Sequence, residues 1–69
     1  MTALIKHEYI GNNVIRLSVD KIGVYEVTKA RCEDKEKGLY RTDRTRRTAS
    51  EKSAKSTYNY YKRIAKQEG

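Results

Sequence analysis

The chain has 69 residues with 16 Lys and Arg against 9 Asp and Glu, a formal net charge of +7, one cysteine, six tyrosines and no Pro, Trp or Phe. A chain of this length buries only about 60% of the surface its unfolded form exposes, so there is room for one core and one domain over 1–69, and no stretch approaches transmembrane length. Cys32 has no second cysteine to pair with, and the N-terminus lacks the basic flank and long apolar run of a signal peptide, so a reducing, cytoplasmic setting is expected.

Residues 3–10 mix β-favouring side chains with charges and end at Gly11, Asn12 and Asn13, a cluster suited to a hairpin turn. From Val14 the chain alternates, with Ile15, Leu17 and Val19 on one side and Val14, Arg16 and Ser18 on the other, which predicts a strand over 14–20. Asp20 to Gly23 carries turn residues at both ends. A third strand over 24–32 then sets Tyr25, Val27 and Lys29 against Val24, Glu26 and Thr28. Glu33 to Lys37 is entirely charged and ends at Gly38, an exposed loop. Leu39 to Asp43 leaves a short fourth strand open.

Thr48 to Glu51 has the spacing of a capping box, so a helix is expected over about 48–67. On a helical wheel Ala54, Thr57, Tyr58, Tyr61, Ile64 and Ala65 share one arc, the stripe that would close the sheet. Lys52, Lys55, Asn59, Lys62 and Lys66 form a second stripe about 140° away. The fold class that follows is α+β: a three- or four-stranded antiparallel sheet with one C-terminal amphipathic helix packed on one face.

Charge and apolar side chains are distributed in opposite senses. Ten of the twelve Ile, Leu and Val residues precede residue 28, and residues 1–27 carry three basic and three acidic side chains. All the net charge lies in 28–69, and within 41–66 nine basic residues face only Asp43 and Glu51. Such asymmetry points to a polyanion-facing surface. Arg41, Arg44, Arg46 and Arg47 precede the expected helix N-terminus, where unpaired amides and the positive end of the dipole favour anions and where guanidinium forks would hold phosphate oxygens. Lys52, Lys55, Lys62 and Lys66 would extend that surface. The competing reading of both groups is a solvated basic face. Tyr58 and Tyr61 belong to the apolar arc, which leaves Tyr60 on the flank as the ring free to stack on a base.

No catalytic constellation is present: His7 and Cys32 fall in different strands without a third partner, and the acids are too scattered among lysines for a metal site. No cofactor is implied. A sheet followed by one helix, with the order strand, Thr, charged cap and Ala-containing helix from Tyr40 to Tyr61, is similar in architecture to the arm-type DNA-binding domain of tyrosine integrases. The likeness has no diagnostic motif. Those domains read DNA with the open sheet face, whereas here that face would hold Val14, Arg16, Ser18, Val24, Glu26 and Thr28, nearly uncharged in sum, so the family is not assigned.

The sequence therefore suggests a non-enzymatic binding protein that contacts nucleic acid through phosphates. The alternative is a protein-interaction module, such as a small inhibitor, adaptor or assembly factor, that docks on an acidic protein surface or pairs through a strand edge, with Val14 and Val24 as its contact and a weak homodimer as one form of it.

Overall fold

A computed structural model of the protein describes residues 3–68. Four strands, β1 (Ala3–Ile10), β2 (Asn13–Val19), β3 (Tyr25–Asp34) and β4 (Leu39–Thr48), are followed by one helix, α1 (Glu51–Glu68). The strands form an antiparallel meander in chain order, and α1 packs on one face, so the α+β architecture is the one expected. The open question of a fourth strand resolves in favour of one twice as long as anticipated.

Turn chemistry places each hairpin. Gly11 and Asn12 alone connect β1 to β2, with Ile10 facing Asn13, and Gly11 at φ 59° supplies the positive φ that a two-residue type II′ loop needs at its first position. Between β2 and β3 the Asp20 carboxylate accepts from the amides of Ile22 and Val24, both at 3.0 Å, and Gly23 takes φ 86°. Val24 belongs to this turn, and β3 starts at Tyr25.

Alternation decides the two faces. Ile15, Leu17 and Val27 point to the helix and pack on Ala54, Tyr58, Tyr61 and Ala65, with Ile10, Tyr25 and Ile64 at the rim. The apolar arc read from the helical wheel is thus the face that packs, Ile64 being its half-buried margin. On the opposite face Val14 is only 2% exposed. Tyr9 is its cross-strand neighbour, and the Tyr40 ring stands 6.4 Å from that of Tyr9. Val14 is therefore not the exposed contact expected of an interaction module: it stands in a central strand between Tyr9 and Ala30, its neighbours on either side.

Two features of the helix side depart from the expected pattern. The N-cap is Ser50 and not Thr48: Ser50 Oγ accepts from the Ser53 amide at 3.2 Å, and its carbonyl accepts from Ala54. Thr48 is held in β4 opposite Tyr25, so the helix begins at Glu51. Lys29 is fully buried, between Asp43 at 2.8 Å and Glu68 at 2.7 Å. Asp43 is an extra residue in β4, where the register shifts between Lys29 opposite Arg44 and Ala30 opposite Thr42, and this bulge brings its carboxylate to the lysine.

Candidate functional site

The four arginines of the 41–47 segment do not gather at the helix N-terminus. They lie along β4, where each residue advances about 3.3 Å, so Arg41 and Arg47 are about 20 Å apart, and alternation sends neighbours to opposite faces. Arg47 sits on the open face and pairs with Glu26 at 3.3 Å; Arg41, beyond the helix end, pairs with Glu33 at 3.5 Å. Arg44 and Arg46 share the helix side with Lys29 and Val27, their cross-strand partners.

The lysine stripe divides as well. Lys55 pairs with Glu51 at 3.0 Å, and Lys62 with Glu8 at 3.2 Å while lying over the Tyr58 ring. Glu8 is held below the ordinary carboxylate range by the hydrogen bond from Lys62, against the opposing effect of burial and with help from Tyr58 and Lys6. Lys52 and Lys66 are exposed and without an ion-pair partner among the described residues. The β1 side of the helix is thus a mixed-charge face, with Lys6, Lys55 and Lys62 set against Glu8 and Glu51.

The β4 side is different. A groove of about 430 Å³ runs between β4 and α1, lined by Arg44 and Arg46 from the strand and by Ser56, Thr57, Tyr60, Tyr61 and Arg63 from the helix. None of these residues is acidic. Arg46 donates from Nη1 to the Thr57 hydroxyl at 3.0 Å, which fixes the guanidinium against the helix and leaves its remaining N–H groups to a ligand. Arg44 and Arg63 have no ion pair or side-chain hydrogen bond among the described residues. Three guanidinium groups from two elements, with hydroxyls between them, make a cleft that accepts an anion by forked hydrogen bonds.

Arg63 is the member that the charge pattern did not single out. Its signal is a third stripe on the helix, Ser56, Tyr60 and Arg63 at i, i+4 and i+7, flanking the apolar arc on the side away from the lysines. Tyr60 sits on it with 51% of its surface exposed, whereas Tyr58 and Tyr61 are buried in the core.

His7 lies edge-on to Tyr9 at 5.9 Å, and Cys32 is half-buried opposite Tyr40. No group of three His, Cys, Asp or Glu able to hold a metal occurs among the described residues. No helix among them is long and apolar enough to cross a membrane. Comparison with protein-family models, with curated proteins and with solved structures found no significant match, so the candidate site rests on its own geometry.

Proposed function

We propose that the protein is a non-enzymatic nucleic-acid-binding module that seats the phosphate backbone in the groove between β4 and α1. The observation that carries this reading is the convergence of Arg44, Arg46 and Arg63 on one cleft without a carboxylate, in a molecule whose other basic side chains are largely paired or dispersed. Arginine suits the role because its fork matches two phosphate oxygens and its charge persists at any working pH. The unpaired Cys32 fits a reducing cytoplasmic setting.

Binding measured by anisotropy against labelled oligonucleotides at several salt concentrations tests it. Three phosphate contacts give a slope of log affinity against log salt of about −2 to −3. Arg44→Glu with Arg63→Glu abolishes binding, while the charge-matched pair Lys21→Glu with Lys35→Glu, on loops distant in sequence from the groove, costs far less. Equal loss in both variants would reduce the effect to net charge. Absence of binding to any nucleic acid at low salt transfers the groove to the alternative partner, an acidic protein surface.

A further inference from the structure

The groove combines two chemistries, and only one of them is used by a phosphate. Tyr60 lines the same cleft as the three arginines, half-exposed, with its ring tilted 45° to that of Tyr61 at 6.1 Å between centroids. Tyr61 is anchored in the core, so Tyr60 is backed on one side by a fixed neighbour and open on the other. An aromatic side chain of this size left half in water on a helix that buries its two other tyrosines gives up burial that would have stabilised the fold. A ring so placed offers a flat face to a planar ligand beside an anion site.

A duplex presents phosphates to such a cleft but keeps its bases stacked inside, where Tyr60 has nothing to meet. A single strand presents both: the phosphate to the guanidinium groups and the adjoining unpaired base to the ring, a pairing that tolerates any base because every base has a π-face. Ser56 and Thr57 add hydroxyls on the same wall.

We infer that the ligand of the groove is single-stranded nucleic acid, held with a phosphate on Arg44, Arg46 and Arg63 and the neighbouring base stacked on Tyr60. This rests on the phosphate-binding reading above and sharpens it from nucleic acid in general to unpaired strands.

The decisive experiment compares three probes of equal length and label: a deoxythymidine ten-mer, an abasic deoxyribose-phosphate ten-mer with the same charges and no bases, and a ten-base-pair duplex. The protein binds the thymidine strand about tenfold more tightly than the abasic one, the range expected for one stacked base. Tyr60→Ala lowers thymidine-strand affinity to the abasic level without changing abasic or duplex binding, and Tyr60→Phe, which keeps the ring, retains the full affinity. Because Tyr60 lies outside the core, Tyr60→Ala folds, as an unchanged thermal transition verifies. Equal affinity for thymidine and abasic strands, or a Tyr60→Ala protein that binds thymidine as well as the parent, overturns the single-strand assignment while leaving phosphate binding intact. Failure of all three probes overturns both.

Discussion

The Tyr58 hydroxyl donates a 3.1 Å hydrogen bond to Glu8 from 50 residues further along the chain, and Lys62 holds the other oxygen of the same carboxylate at 3.2 Å. Helix and edge strand are therefore joined through a carboxylate whose charged form is favoured in the folded state. Its folded pKa is lowered, so the stabilisation is complete above the unfolded value of about 4.3 and is lost as pH falls through the folded value. Thermal midpoints measured from pH 7 to pH 2 should fall in acid, and Glu8→Gln should shallow that fall while lowering the midpoint at pH 7.

Lys29 behaves in the opposite sense. Burial pushes its pKa down, but the hydrogen bonds it donates to Asp43 and Glu68, with the charges of those carboxylates, outweigh burial and raise it. Stability from this contact is complete below the unfolded lysine value of about 10.4 and is lost as pH rises through the folded value. Lys29→Met leaves two carboxylates facing each other and should cost about 2 kcal/mol in urea unfolding, less than for a fully enclosed pair because both carboxylates keep about a third of their surface in water. Adding Asp43→Asn and Glu68→Gln to that variant should recover part of the loss; a triple variant less stable than Lys29→Met would mean that the carboxylates have a separate role.

Tyr61 packs with Leu17, Val27 and Ala65 in the core, so Tyr61→Ala should cost about 3–5 kcal/mol, most of what a chain of this size has. Arg41→Ala, at an exposed end of β4, should stay within about 0.5 kcal/mol. The two urea midpoints side by side separate core from surface.

Ser50→Ala should lower stability by about 1 kcal/mol through loss of the bond to the Ser53 amide. A larger cost from Thr48→Ala, read in the same thermal scans, would return the cap to the earlier position.

What the sequence made legible was whatever depends on neighbours in the chain. Ile15, Leu17 and Val27 alternate, and Tyr58, Tyr61 and Ala65 recur with helical period, so the sheet, the helix and the face between them could be read directly. The position of the arginines could not. A cluster in one dimension becomes dispersed when its residues enter a strand, and β4 extends to Thr48 because β3 offers a ten-residue edge to pair with, a property of β3 rather than of the segment itself. Tyr25 opposite Thr48 likewise moved the cap by two residues. Alternation set Lys29 on the side of Tyr25 and Val27, but the carboxylates that compensate its charge there could not be read, because they stand in a bulge of β4 and in the last residues of the helix. Arg63 was counted as charge and not as site, since only the packed helix shows which of its flanks meets the arginines of β4.

The strand order has a kinetic consequence. Every strand pairs with the one that precedes it in the chain, through connections of a few residues, so the whole sheet can assemble by successive local closures with little entropy lost at each. The helix alone must find partners far back along the chain, with Tyr58 and Lys62 both reaching Glu8 in the first strand. Short connections between paired strands predict the hairpins as the early structure and docking of the helix as the late step. Substitutions of Ala54 or Ala65 in the docking stripe should then appear mainly as faster unfolding, and changes at the Gly11 turn as slower folding.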